Sequence, residues 1–296
     1  MSGTKTRLIS GVIAFAAVLP VLLYGGFVGV FVLVAIASAI CAWEYVSMAL
    51  PERPRGTMGL MMVLGAGLYW TSATSTGDSA PQLFGPGVSG SATLLLLLVL
   101  SAATSAIWFM LTAKSTEGLA DRWARFMLGL VYVPLVLGLL PALVRLEGGQ
   151  GWLWMPLFIA WCGDIGGYFA GRAFGDRKLF PLISPKKTWA GFVGGLALSA
   201  AGLLVFKYVF YDPLIQGPSQ LSNPLGLIDC AVLGIVGYAA AVLGDLVESM
   251  LKRSFGVKDS GSIMPGHGGL LDRIDGVQFA LIVVYLWVVV LREVLL

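Results

Sequence analysis

Long apolar runs separated by short polar segments are the dominant pattern along this chain. Lipid hydrocarbon cannot satisfy open backbone N–H and C=O groups, so a run of about 20 apolar residues predicts a membrane-spanning α-helix. The pattern predicts nine spans, at residues 8–24, 27–49, 58–74, 91–112, 126–144, 152–171, 188–210, 226–250 and 276–295. The third of these spans is short, and glycine flanks it. We therefore predict an all-α, polytopic integral membrane protein.

Composition supports this fold class. Of the 296 residues, 57% are hydrophobic and only 12% are charged, whereas soluble domains carry about 25% charged residues. The net charge is +3, and it is unevenly distributed. With the N-terminus in the cytosol, every Lys and Arg except Arg145, Lys207 and Arg292 falls on the cytosolic side, as the positive-inside rule expects. The basic residues thus indicate a cytosolic membrane face, not a nucleic-acid binder.

A charged amphipathic linker divides the chain into a plain N-terminal half and a C-terminal half that holds nearly every unusual residue. We predict a scaffold of helices over 1–113, a linker with a middle helix over 114–150, and a catalytic membrane domain over 151–296. Glu44 is the one intramembrane carboxylate of the first region. We expect it to reach the membrane interface as a snorkelling side chain.

The segment 161–172 places Asp164 inside a predicted span, among four glycines. An ionised group at that depth costs at least about 2.5 kcal/mol unless it is paired, bound to a metal or hydrated, so it indicates a functional site. The alternative is tight helix packing through the small residues, with Asp164 paired to a cation.

The segment 174–195 contains Ser184, Pro185, Lys186, Lys187 and Thr188 in succession. Proline is favourable at the first position of a helix, so we expect Pro185 to begin one. Free amides at that helix start, with two ammonium groups beside them, would form an anion site. Anchoring of the helix by positive charge is the alternative.

The segment 244–253 places four polar residues on one face of a helix, because Glu248, Ser249 and Lys252 follow Asp245 by three, four and seven positions. Carboxylates and a hydroxyl near the cytosolic end suit Mg²⁺, which prefers oxygen ligands and usually takes some of them from phosphates. A salt bridge between Glu248 and Lys252 would explain two of the four residues.

The polar loop over 254–275 is rich in glycine, which allows backbone amides to surround an anion. Asp272 and Asp275 lie at its end, where the last span opens. His267, the only histidine of the chain, lies inside the loop. Together these segments provide carboxylates for a metal and cations for a nucleoside triphosphate on one membrane face.

These residues resemble the phosphatidate cytidylyltransferase family, also called CDP-diacylglycerol synthases. The resemblance covers about residues 126–276 and includes the Asp164 segment and the run from Ser184 to Trp189. Met264 stands where the family usually has Ile, Leu or Phe. The residues in register with the C-terminal motif are Ser249, Lys252, Arg253, Lys258, Asp259, Pro265, His267, Gly268, Gly269, Asp272, Arg273 and Asp275.

The resemblance implies transfer of CMP from CTP to phosphatidic acid at the bilayer, giving CDP-diacylglycerol and pyrophosphate. It implies Mg²⁺, with K⁺ as a second metal, and a bacterial inner membrane with the N-terminus and the active site facing the cytoplasm. The residues that we expect to act in catalysis are Asp164, Asp245, Lys252, Arg253 and Asp272. Those that we expect to hold metal are Asp164, Asp245, Glu248 and Asp272. Those that we expect to bind substrate are Ser184, Lys186, Lys187, Thr188, Ser249, Lys258, His267, Gly268, Gly269 and Arg273.

Three other functions stay open at this point. A CTP-dependent kinase of a lipid alcohol would use a similar site but transfer phosphate, and a cation-coupled transporter would line an ion path with Asp164, Asp245 and Glu248. A non-catalytic scaffold would leave these carboxylates without a role. A homodimer through the spans is compatible with the sequence, which shows no interface.

Overall fold

Helices form nearly all of the regular structure in the computed structural model, which describes residues 3–53, 55–74, 89–216, 225–264, 266 and 268–291. Within that part of the chain there are eleven α-helices and one two-stranded antiparallel sheet. The helices are α1 Gly3–Tyr24, α2 Gly26–Ala49, α3 Thr57–Thr74, α4 Gly90–Thr112, α5 Leu119–Leu130, α6 Leu139–Val144, α7 Gly149–Phe174, α8 Trp189–Val205, α9 Leu227–Val232, α10 Tyr238–Ser254 and α11 Leu271–Leu286, and the strands are β1 Lys178–Phe180 and β2 Ser184–Thr188.

Short π-helical stretches join or extend several of these helices into longer segments. Six helical segments in the described ranges are long and apolar enough to cross a membrane, so the chain is an all-α polytopic membrane protein: Gly26–Ala49, Gly90–Thr112, Leu119–Val144, Trp189–Tyr211, Leu227–Ser254 and Leu271–Leu291. Helices α1, α3 and α7 coincide with the other three predicted spans but are not among those six. The count of nine spans therefore stays a prediction.

The chain folds as two compact units. The N-terminal unit comprises Met1–Leu146 together with Asp259–Leu271. The C-terminal unit comprises Glu147–Lys258 together with Asp272–Leu296. The polar loop is thus divided, because its middle part, Asp259–Leu271, packs with the first half of the chain.

Buried tyrosines hold the N-terminal unit together. The Tyr45 hydroxyl of α2 donates to the backbone oxygen of Arg125 at 3.0 Å, and the Tyr69 hydroxyl of α3 donates to that of Phe31 at 2.6 Å. A Cβ atom at Gly129 would lie 2.5 Å from the Tyr45 ring, so glycine there lets α5 approach α2 closely. These polar contacts fix the register between helices that are otherwise apolar.

Small residues let α7 and α8 pack closely in the C-terminal unit. A Cβ atom at Gly166 would lie 2.5 Å from the backbone oxygen of Gly194, and one at Gly191 would lie 2.8 Å from that of Gly167. The packing role of the glycines around Asp164, considered above as an alternative, is therefore real. It places the polar ends of both helices side by side.

The sheet is a hairpin between α7 and α8, which corrects the prediction that Pro185 begins a helix. Pro185 lies within β2, and Lys178 pairs with Thr188 across the two strands. Helix α8 begins only at Trp189, because the Thr188 hydroxyl caps it and accepts the Gly191 N–H at 3.1 Å. Proline is tolerated in the strand of a two-stranded sheet, where an edge needs no donor.

Candidate active site

A cavity of about 520 Å³ lies in the C-terminal unit, between α7, the hairpin, the start of α8 and α10. It lies where the close packing of α7 on α8 ends and the hairpin begins. Its lining combines acidic, basic and aromatic side chains with glycine backbone: Asp164, Gly167, Tyr168, Gly171, Arg172, Leu179, Lys186, Lys187, Thr188, Gly191, Phe192, Tyr238, Val242 and Asp245. Residues from two separate sequence motifs and from α10 therefore share one cavity.

Lys187 and Asp245 form the central ion pair of the cavity. The Lys187 Nζ atom lies 2.7 Å from Asp245 Oδ2, and the Ser249 hydroxyl donates to Asp245 Oδ1 at 3.3 Å. Asp164 is close enough to both charges to interact with them electrostatically, and also with Arg273. Two carboxylates and a lysine thus meet in a half-open space, which suits a ligand that carries phosphates and a cation.

Lys252, Glu248 and Asp272 form a second charged cluster, between α10 and the start of α11. The Lys252 Nζ atom donates to Asp272 Oδ1 at 2.6 Å and pairs with Glu248 one helical turn earlier. Glu248 is fully buried, with 0% of its surface exposed. The salt bridge that the spacing allowed is present, and it extends to the first turn of α11. Since buried charges are expensive unless they are paired, these three residues depend on one another.

The remaining predicted site residues lie at several places. Arg253 and Lys258 are exposed at and beyond the end of α10, where Gly256 adopts the left-handed conformation (φ 75°) that ends the helix. Ser184 begins β2 and is not among the cavity-lining residues, and Asp272 is not among them either. Gly268 and Gly269 belong to the N-terminal unit. His267 lies outside the described residues.

Tyr238 and Arg172 also line the cavity, although they were not predicted as site residues from the sequence. The ring of Tyr238 fills the space above Gly163 and Gly195, and Arg172 donates to the Tyr168 hydroxyl at 2.9 Å. Tyr238 precedes Asp245 by seven residues on one helix, so helical periodicity could have placed both on the same face. Arg172 had been counted only among the cytosolic charges.

The prediction for Glu44 was wrong. Glu44 is only 4% exposed, and both carboxylate oxygens accept hydrogen bonds from backbone N–H groups of Leu270 and Leu271. A carboxylate that finds fixed donors inside the protein has no reason to extend to the interface. No local pattern could have shown these partners, because they lie more than 200 residues away in sequence.

The cavity fits a divalent cation only if the ligand itself provides part of the coordination. In the described residues, no group of three or more His, Cys, Asp and Glu side chains is arranged to hold a metal alone. Mg²⁺ usually binds through one or two carboxylates and takes its remaining oxygens from water and phosphates. Asp164 and Asp245, which both line the cavity, match that requirement.

The whole chain is similar to proteins of one known family. The chain matches the Cytidylyltransferase family over residues 5–291. It is 33% identical to the phosphatidate cytidylyltransferase of Haemophilus influenzae over 291 residues, which cover 93% of this chain and 95% of that protein. It is 35% identical to the protein of the same name from Pseudomonas aeruginosa over 286 residues, covering 94% of each. The Brucella suis protein of that name is 42% identical over a shorter stretch of 135 residues, 46% of each chain. Since the family match and the two long alignments cover nearly the whole sequence, this chain belongs to the cytidylyltransferase family.

Proposed function

We propose that this protein transfers CMP from CTP to phosphatidic acid and releases CDP-diacylglycerol and pyrophosphate. The observation that carries the proposal is the single cavity in which Asp164 and Asp245 meet Lys186 and Lys187. Carboxylates recruit the cation of a nucleotide, and lysines bind its phosphates. Relatives that align with nearly the whole chain are named phosphatidate cytidylyltransferase.

The reaction is an in-line displacement at the α-phosphorus of CTP. A phosphate oxygen of the lipid forms the new P–O bond, and the bond between the α-phosphorus and its bridging oxygen to the β-phosphate breaks. The electron pair leaves with pyrophosphate. Because the lipid phosphate is already anionic near neutral pH, no strong base is required, and catalysis consists of positioning and charge neutralisation.

The basic residues have separate tasks in this scheme. Lys186 and Lys187, held on β2, neutralise the triphosphate and the departing pyrophosphate. Arg253, Lys258 and Arg273 assist at the exposed edge. Lys252 is held by Glu248 and Asp272, so it fixes the first turn of α11 as well as adding positive charge. Ser184, Thr188, Ser249, His267, Gly268 and Gly269 complete the substrate-binding set that we propose.

Mg²⁺ is the cation that we propose, and its predicted ligands are Asp164, Asp245, Glu248 and Asp272. When bound, it would neutralise charge that develops between the reacting phosphates. Asp164 and Asp245 lie beside the cavity, whereas Asp272 and Glu248 have Lys252 as their partner. Asp164 and Asp245 are therefore better supported as metal ligands than Asp272 and Glu248. The second metal ion, K⁺, stays a prediction.

The membrane environment follows from the apolar helices, and its topology is part of the proposal. Phosphatidic acid would keep its acyl chains in the bilayer and extend its headgroup into the cavity. The distribution of Lys and Arg supports a topology in which the N-terminus and the active site face the cytoplasm, and we propose a bacterial inner membrane. The division into a scaffold over 1–113, a linker region over 114–150 and a catalytic region over 151–296 also belongs to the proposal.

Purified protein in detergent, supplied with CTP, phosphatidic acid and Mg²⁺, tests the proposed reaction. We expect CDP-diacylglycerol and pyrophosphate in equal amounts, and a loss of rate of about 100-fold or more in Asp245→Asn. Asp121→Asn is the matched control, because Asp121 pairs with Arg125 on an exposed helix face where such pairs contribute little. CDP together with a phosphorylated lipid alcohol would identify a kinase instead. Absence of CTP turnover with any lipid would contradict the proposed reaction and favour the transporter hypothesis.

A further inference from the structure

Glu44 connects the second transmembrane helix to the polar loop through its carboxylate. Oε1 accepts the backbone N–H of Leu270 at 3.0 Å, and Oε2 accepts that of Leu271 at 2.9 Å. The Ser260 hydroxyl lies 3.4 Å from Oε2. All of these residues belong to the N-terminal unit, so the loop segment 259–271 contacts α2, a helix that precedes it by more than 200 residues.

The glycines of this segment leave room for the same carboxylate. A Cβ atom at Gly261 would lie 2.5 Å from Glu44 Oε1, and one at Gly269 would lie 2.7 Å from Oε2. A real Cβ atom essentially never approaches another atom so closely. The two ends of this segment, at Ser260–Gly261 and Gly269–Leu271, therefore surround an anion that the protein itself provides.

The position of this carboxylate at the start of α11 explains why it can stay buried. Leu271 is the first residue of α11, and the first N–H groups of a helix have no partner within it. A negative charge at that end also interacts favourably with the helix dipole. The described partners of Glu44 are all neutral donors. The donors of the segment thus stabilise the ionised Glu44 carboxylate, and the carboxylate in turn holds the segment in place.

We propose that Glu44 is a positioning residue for cytidylyl transfer. Its carboxylate fixes the backbone at Ser260–Gly261 and at Gly269–Leu271, and the second of these stretches leads directly into Asp272. This inference rests on the proposed function, since it makes the N-terminal helices necessary for the reaction and not only for membrane insertion. It assigns the segment's conformation to one side chain.

Glu44→Gln tests the inference, because it keeps the size of the side chain but removes the charge and points an NH₂ group at a backbone donor. Hydrogen exchange of the segment 259–271 and steady-state kinetics with CTP and phosphatidic acid are measured together. We expect faster exchange in that segment and a fall in kcat of about 10- to 100-fold. KM for CTP should change less than kcat, because Lys186 and Lys187 still bind the triphosphate although Gly268 and Gly269 lie in the loosened segment. Glu52→Gln, an exposed carboxylate eight residues later, is the control that should leave both readouts unchanged.

Glu44→Asp separates positioning from general stability. It keeps the charge on a side chain one methylene shorter, so we expect part of the exchange protection and part of the turnover to return. If Glu44→Gln does not fold, Glu44→Asp and Ser260→Ala replace it. Ser260→Ala removes the hydroxyl donor and leaves both amide bonds, so it should produce a smaller change in the same segment.

Two results would overturn the inference: exchange in 259–271 that does not respond to Glu44→Gln, or normal turnover per folded molecule despite faster exchange. A wild-type protein without CMP transfer would overturn the proposed function and the catalytic part of this inference with it. The exchange data do not depend on activity, so they decide separately whether Glu44 fixes the segment.

Discussion

Lys187 of the hairpin and Asp245 of α10 form an ion pair whose nitrogen and oxygen atoms lie 2.7 Å apart. The two residues come from motifs 58 positions apart, and the pair joins the part of the site expected to bind phosphate to the part expected to bind metal. Both side chains are partly exposed, at 24% and 39%, so solvent and ligand can reach them. A ligand with both phosphates and a cation would replace this ion pair, because its phosphates would bind Lys187 and its cation would bind Asp245.

Because they act on the same ligand, Lys187 and Asp245 should show non-additive effects. We expect Lys187→Met and Asp245→Asn each to lower kcat/KM by about 100-fold. The double variant should lose far less than the product of the two losses, since each residue has little to act on without the other. A double-mutant cycle of kcat/KM measures this coupling, and losses that multiply would contradict it.

Lys252 should be necessary for stability. Lys252→Met leaves the buried carboxylates of Glu248 and Asp272 without their shared cation, which costs about 3–5 kcal/mol for a buried pair. Thermal unfolding in detergent should therefore begin at a clearly lower temperature. The exposed residue Lys258 is the matched control, and Lys258→Met should unfold like the wild type. Equal unfolding temperatures for the two variants would show that the cluster is not important for stability.

The contact between α7 and α8 should not tolerate a single methyl group at Gly166. In Gly166→Ala the added Cβ atom would meet the Gly194 backbone oxygen at 2.5 Å and the Leu198 side chain at 2.7 Å. Overpacking of this kind costs about 1–3 kcal/mol, and it would also separate the helices that carry Asp164 and the hairpin. We expect lower thermal stability and lower turnover.

Gly67→Ala provides the control for that substitution. Gly67 lies inside α3, and a Cβ atom there would meet nothing within 4 Å. Alanine is the better helix former by about 1 kcal/mol, so this variant should be as stable as the wild type or more so. If Gly166→Ala behaved like Gly67→Ala, the close approach of α7 and α8 would not limit the site.

Thr188 should matter for activity beyond its role as a helix cap. Thr188→Ala removes the hydroxyl that accepts the Gly191 N–H, and Ser89→Ala removes the equivalent cap of α4, where the hydroxyl accepts the Ala92 N–H. Each loss should cost about 1 kcal/mol of stability. Only Thr188 lines the cavity, so only Thr188→Ala should lower turnover. Equal activity of both variants would reduce Thr188 to a structural residue, and Thr188→Ser should recover activity if the prediction holds.

Local pattern predicted the elements of this fold well. Within the described residues, each of the nine apolar runs falls in a helical segment and six of these segments are long and apolar enough to span a membrane, because length and hydrophobicity are properties of a continuous stretch. The Glu248–Lys252 salt bridge also follows from one helical turn of spacing. The hairpin was missed, because its two short strands pair only with each other and carry no alternating pattern.

The sequence by itself determined that this is a helical membrane protein, which polar segments carry its chemistry and which family it resembles, since each of these depends on residues close together in the chain. Tertiary structure alone decided which charges meet. It paired Lys187 with Asp245, placed Asp272 on Lys252, and buried Glu44 against Leu270 and Leu271. The physical reason is that a carboxylate must find its donors or cations in space, and helix packing brings distant parts of the chain to the same place.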